Sequence, residues 1–181
     1  MRRASLLRAA AVLGLAGLPV LRGAPAATIP TGARFSVGAT VQNGCLVAGN
    51  PAQTAGLAFG QIGFGTWPAL ATGRQTAALG PAGGSQALLQ CTAGTTVQLL
   101  LDAGQHALGS QRRLANGAGY FLPYDLTLTS TGNQPVLPNV AVGLALGATP
   151  QALPLQGSVV LPGTGVAAGT YTDTVQVTVS W

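Results

Sequence analysis

The chain has 181 residues, of which 48% are hydrophobic and 6% are charged, and its formal net charge is +5 at pH 7. All 8 cations are arginines, and half of them lie before residue 23. The rest of the chain keeps four arginines against three aspartates, which is a net charge of +1. So few cations cannot form a basic patch for phosphate groups, which excludes electrostatic binding to nucleic acid.

The N-terminal segment 1–26 has the three parts of a secretory signal peptide. A basic start over 1–8 precedes an apolar run over 9–21 and the small residues Ala24-Pro25-Ala26. The run is shorter than the roughly 20 apolar residues that cross a bilayer. We therefore expect export to the periplasm and cleavage after Ala26. The alternative is a retained membrane anchor.

Two cysteines, Cys45 and Cys91, remain in the exported chain. An even number of cysteines in an exported protein predicts a disulfide. The alternative is a zinc site, but two cysteines and one distant histidine do not supply four ligands. We expect no metal and no cofactor.

Short strand patterns recur along the chain and are separated by Gly, Pro and Asn clusters. One segment, 69–79, is the longest helix candidate, but Gly73 interrupts it and it lacks an apolar stripe. The spacing of the strands predicts an all-β sandwich of one domain. The predicted strands before the final segment are 34–42, 57–64, 87–91, 95–102, 120–129, 136–146 and 155–161.

The final segment, 170–181, has the clearest alternation. Because successive side chains of a strand point to opposite faces, the segment has one apolar face and one polar face. Its free apolar edge would promote aggregation unless something covers it. The apolar face comprises Tyr171, Asp173, Val175, Val177, Val179 and Trp181.

No catalytic constellation is recognisable. His106 is the only histidine, and no nucleophile motif accompanies it and Asp102. Residues 163–169 are Gly-rich but precede a strand, so they indicate a turn and not a dinucleotide loop. We expect Arg112 and Arg113 to be solvated, with Asp125 as a possible surface partner. The chain is therefore not predicted to be an enzyme.

Four sequence features resemble one known family. They are the strand Phe35-Ser-Val-Gly-Ala-Thr-Val41 before Asn-Gly-Cys45, the segment Leu57-Ala-Phe-Gly60, the turn Cys91-Thr-Ala-Gly94, and the closing segment 168–181. Together they resemble the spore coat protein U domain family, which includes the pilins of archaic (Csu-type) chaperone–usher pili. The resemblance covers essentially the whole mature chain.

The resemblance implies an immunoglobulin-like β-sandwich that is incomplete and lacks one strand. It implies a donor-strand segment over 27–42 and a pilin domain over 43–181. The donor residues would be Phe35, Val37, Ala39 and Val41. The acceptor groove would be lined by the C-terminal strand, with Tyr171, Val175, Val177, Val179 and Trp181. The alternative is a self-complete sandwich in which both strands are ordinary members.

The function that the resemblance implies is that of a structural subunit of an extracellular fibre, in surface adhesion and biofilm formation. Donor-strand complementation would assemble it, because an added strand gains main-chain hydrogen bonds and side-chain pockets. Its partners would be a periplasmic chaperone, an outer-membrane usher and neighbouring pilin subunits. The alternative is a secreted spore-coat-like or adhesive binding protein that does not polymerise.

Overall fold

A computed structural model of the chain describes Gly32 and residues 34–181. The predicted signal peptide, its cleavage site and the beginning of the predicted donor segment lie outside the described residues. The domain considered below is the compact unit 41–181. Within the described residues, no helix is long and apolar enough to cross a membrane.

The described chain is all-β, apart from a single 3-10 turn at Thr129–Thr131. The strand pairs are antiparallel. The strands in chain order are β1 (Cys45–Val47), β2 (Thr72–Ala78), β3 (Leu89–Cys91), β4 (Thr96–Leu101), β5 (Arg112–Ala115), β6 (Phe121–Leu128), β7 (Gln134–Pro135), β8 (Val142–Ala145), β9 (Leu155–Pro162) and β10 (Val177–Ser180).

The strands form two larger sheets and a small one. The 5-stranded sheet has the order β2-β9-β6-β5, with β7 paired to β6, and the 3-stranded sheet has the order β10-β4-β8. The small sheet joins β1 to β3, and its first residue pair, Cys45 and Cys91, forms the predicted disulfide. This architecture is consistent with the predicted immunoglobulin-like sandwich.

The core contains the inward-facing residues of both larger sheets. Along β4 every second residue is buried, and β6 and β9 show the same alternation. Leu99 on β4 and Leu128 on β6 have no exposed surface. Because a strand points alternate side chains to one face, a period-2 apolar pattern places a continuous apolar layer inside.

Several predicted strands are confirmed, with ends that shift by a few residues. The segments 87–91, 95–102, 120–129 and 155–161 correspond to β3, β4, β6 and β9. The turn between β3 and β4 closes with a hydrogen bond from the Thr95 amide to the Thr92 carbonyl, and Gly94 there adopts a φ of 81°. A left-handed φ favours glycine, which explains this residue in the turn.

Other predicted strands were wrong or too long. The structure assigns no strand to 34–42, and in 57–64 only Gln61 forms a bridge, to Gly80. Gly60, at a φ of 135°, leaves the β region there and interrupts the ladder. The prediction 136–146 shrinks to β8. The helix candidate 69–79 contains strand β2, whose backbone pairs along β9 in a register that Gly73 does not break.

Candidate functional site: an open apolar groove

An apolar groove of about 1640 Å³ runs along one side of the domain. Its floor consists of core residues of the two larger sheets, including Leu101, Leu122, Leu126 and Val159. One wall is the final segment, 170–181. The other wall is the segment 57–68, which we call the aromatic wall. The groove is therefore an opening onto the main core.

The final segment presents the alternation that the sequence predicts. Its apolar residues Tyr171, Val175, Val177 and Val179 pack against the core but stay partly exposed, whereas the intervening polar residues are exposed. Strand β10 pairs with β4 along one edge, and within the described residues no strand pairs with its other edge. This wall thus offers a free main-chain edge and half-buried apolar side chains.

The aromatic wall packs against the 5-stranded sheet without belonging to it. Its side chains Phe59, Ile62 and Phe64 are partly buried against the core. A Cβ atom at Gly157 of β9 would lie 2.8 Å from Phe64 and 2.9 Å from Ile62, so glycine is needed for this close approach. The wall is held by the fit of its side chains and by the Gln61–Gly80 bridge.

One charged residue stands among the groove's apolar residues. The side chain of Asp173 is 1% exposed, and it accepts hydrogen bonds from the Gln105 amide at 2.9 Å and the Tyr124 hydroxyl at 2.8 Å. The Nδ1 atom of His106 lies 3.0 Å from the same carboxylate. Burial raises the pKa of Tyr124, and its hydrogen bond to Asp173 raises it further.

The sequence profile of the Spore Coat Protein U domain family matches residues 31–178. The chain belongs to this family. A solved structure, the CsuC–CsuE chaperone–tip adhesion subunit pre-assembly complex from archaic chaperone-usher Csu pili of Acinetobacter baumannii, is similar at 20% identity and a TM-score of 0.41. The match covers 78% of this chain and 40% of that one. No curated protein matches.

In this Spore Coat Protein U domain, the prediction that Arg112 is solvated was wrong. Arg112 is 3% exposed and donates hydrogen bonds to the carbonyl oxygens of Asp102 at 2.9 Å and Val136 at 2.7 Å. Burial lowers its pKa, and nearby acidic groups oppose this. Arg112 is buried because its position on β5 faces the core. The neighbouring Arg113 is partly exposed, and its guanidinium lies 4.1 Å from the centre of the Phe121 ring.

The described residues contain no group of three or more histidine, cysteine or acidic side chains that could hold a metal ion. His106 is a partly exposed turn residue bonded to Asp173, not to Asp102. The two tryptophans are exposed, and Trp67 donates its ring N–H to the carbonyl oxygen of Phe64. The apolar lining of the groove and the free edge of β10 suit the binding of an extended apolar segment.

The predicted donor residues are exposed and lie outside any strand. Phe35 is 88% exposed and Val37 is 85% exposed, and Ala39 and Val41 are exposed as well. Their role as donors stays a prediction. Two features of the site were not predicted from the sequence: the aromatic wall, whose signal was an apolar run broken by three glycines, and the buried contacts of Asp173.

Proposed function

We propose that this domain is a structural subunit of an extracellular fibre, and that its groove receives a β-strand from another molecule. The observation that carries the proposal is the groove itself, with apolar walls and a free edge on β10. An extended peptide laid along such an edge gains main-chain hydrogen bonds. Its alternate side chains enter the groove and fix its register.

The segment 34–42 has the chemistry of such a peptide. Its alternate residues Phe35, Val37, Ala39 and Val41 are apolar, it contains no proline, and it forms no strand of its own. Nine residues of extended chain span about 30 Å, which is comparable to the length of the final segment. Burial of these exposed side chains would supply the apolar area that drives the association.

Exchange of this segment from one copy to the next gives an open chain of subunits. A head-to-tail contact whose rotation does not close produces a filament and not a ring. In this proposal each subunit donates its segment 34–42 to one neighbour and accepts a segment from the other. No enzymatic step and no cofactor are involved.

The proposed partners are a periplasmic chaperone that occupies the groove before assembly and an outer-membrane usher that exchanges it for the neighbouring subunit. An unfilled groove favours such a chaperone, since exposed apolar edges aggregate. The signal peptide would deliver the chain to the periplasm, and the fibre would stand on the cell surface. Adhesion and biofilm formation are the proposed roles there.

The test is export of the full chain together with a chaperone and usher encoded nearby, followed by gel electrophoresis without boiling. We expect ladders of multimers that disappear when residues 34–42 are deleted. A double variant, Phe35→Asp with Val37→Asp, should also remove the ladder. The matched control, Ser36→Asp with Thr40→Asp, changes the opposite face of the segment and should keep it.

A stable monomer that needs no chaperone and forms no ladder would contradict fibre assembly. It would favour the second candidate, a secreted binding protein that does not polymerise. The exposed ring of Trp67 gives that candidate a specific surface for contact, because tryptophan is enriched at protein interfaces. Binding to a surface that Trp67→Ala weakens, without multimers, would support it.

A further inference from the structure

The final segment changes from one sheet to the other along the groove. Thr172 exchanges two backbone hydrogen bonds of 2.9 Å with Ala115 of β5, in the 5-stranded sheet. From Gln176 onward the segment instead pairs with the end of β4, in the 3-stranded sheet. Within the described chain, residues 173–175 between these two points are assigned to no ladder.

A cluster of polar groups holds the segment at this crossing. The carboxylate of Asp173 is held by three donors from outside the segment, as described above. The carboxylate of Asp102 accepts hydrogen bonds from the Gln176 amide at 3.0 Å and the Gly104 amide at 2.9 Å. We call this cluster the polar clamp, comprising Asp102, Gly104, Gln105, His106, Tyr124 and Asp173.

The polar clamp is anchored in the core by Arg112. Its guanidinium reaches the carbonyl oxygens of Leu101 and Asp102, at the point where β4 ends and the loop that carries the clamp begins. Hydrogen bonds from a charged donor to buried carbonyls are among the stronger ones in proteins. Arg112 therefore holds the loop against the core, and the loop in turn holds the final segment through the polar clamp.

An apolar face alone would not fix this wall. Apolar attraction is non-directional, and valines repeated at every second position can pack after a two-residue shift. A one-residue shift would turn the whole apolar face outward. A buried carboxylate, unlike a valine, has one favourable position. The free-energy cost of removing it from water is offset only where hydrogen-bond donors are within reach. Asp173 has such donors at one position of the segment.

We propose that the polar clamp fixes the register of the final segment while the groove is unfilled, and so makes Asp173, Asp102 and Gly104 positioning residues for strand capture. The inference rests on the proposed function, since it concerns the same groove. The clamp keeps the valines of the segment aimed into the groove and the free edge of β10 available. A donor strand can then pair with β10 without any prior rearrangement of the final segment.

Gly104 gives a matched pair of variants for the test. Its φ is 78°, and a Cβ atom there would collide with the carboxylate of Asp173. Gly117 has nearly the same φ, 76°, but a Cβ atom there would meet nothing within 4 Å. Gly104→Ala and Gly117→Ala therefore share the backbone strain, and only the first displaces the clamp.

The measurement is the binding of a fluorescent synthetic peptide of residues 34–42 to the full-length chain. We expect wild type and Gly117→Ala to bind alike, and Gly104→Ala to bind at least about tenfold more weakly, the loss expected for one hydrogen bond to a charged group. Asp173→Leu should lose a similar factor although it makes the groove more apolar. Asp173→Asn, which keeps one acceptor oxygen but loses the charge, should lose less than Asp173→Leu.

The clamp is overturned if Gly104→Ala matches Gly117→Ala, or if Asp173→Leu binds the peptide as tightly as wild type. The second result would mean that apolar area alone sets capture. If the wild-type chain and Gly117→Ala do not bind the peptide, the proposed function itself fails, and the clamp has no strand to position. Thermal unfolding of each variant separates a loss of capture from a loss of fold.

Discussion

The 5-stranded sheet and the final segment carry the same alternating pattern and have different surroundings. On β6 the inward residues are buried because β5 and β9 flank that strand and the opposite sheet covers it. On the final segment the inward valines are only half-buried, because the groove beside them is open. A period-2 pattern thus identifies a face that needs covering without identifying what covers it.

The largest expected effect comes from a charge placed in the groove. Val177→Asp would bury a carboxylate without partners when a strand fills the groove, which costs several kcal/mol. We expect this variant to give no multimers on an unboiled gel. Thr178→Asp, on the exposed face of the same strand, should assemble as wild type does. Equal ladders from the two variants would contradict the assignment of the groove face.

The disulfide has the next largest expected effect. Because Cys45 and Cys91 close a loop with a sequence separation of 46, replacing both with serine should lower the free energy of unfolding by about 4 kcal/mol. Urea denaturation of the purified chain measures this loss. Reduction of the wild-type protein should lower its free energy of unfolding to that of the double serine variant. An unchanged midpoint after reduction would count against the bridge as a stabilising element.

Side-chain truncations in the buried core and in the groove wall should differ in their effect on the free energy of unfolding. Leu99→Ala, in the fully buried core, should cost about 3 kcal/mol because it leaves a cavity. Val177→Ala should cost only about 1 kcal/mol in the chain alone, since its side chain is only partly buried. A bound peptide of residues 34–42 should raise the second cost. If the two costs are equal without peptide, the groove is already filled.

The smallest expected effect concerns pH. Because the folded state raises the pKa of Tyr124 above its ordinary value of 10.0, this residue stabilises the fold fully below pH 10. The stabilisation is lost as the pH rises above that value. Denaturation of wild type between pH 9 and 11 should show a decline that Tyr124→Phe reduces. An identical decline in the variant would contradict the buried Tyr124 hydroxyl as its cause.

The sequence predicted the strands whose inward residues are large and apolar. It predicted β4, β6 and β9 because Leu and Val recur there at every second position. It missed β2, which reads Thr-Gly-Arg-Gln-Thr-Ala-Ala, because that strand is held mainly by backbone pairing to β9 and carries no large apolar residue. Strand pairing of this kind leaves no period in the side chains.

For the candidate site, the sequence identified one wall and not the other. The final segment was readable from its alternation. The part of the aromatic wall over 57–64 was mistaken for a strand because it is rich in apolar residues. Its course depends on glycines whose backbone angles the composition does not reveal. The buried roles of Asp173 and Arg112 depend on contacts across tens of residues, which no local pattern encodes.

The most direct test is a cross-link between two copies of the chain. One population would carry Val37→Cys and the other, grown with heavy nitrogen, would carry Val177→Cys, with Ser36→Cys and Thr178→Cys as the outward-facing pair. After mild oxidation of mixed, assembled protein, mass spectrometry should find the inward pair joined between light and heavy chains. A link found only within one chain would contradict strand exchange between molecules, and a light–heavy link for the outward pair without one for the inward pair would contradict the assignment of the groove face.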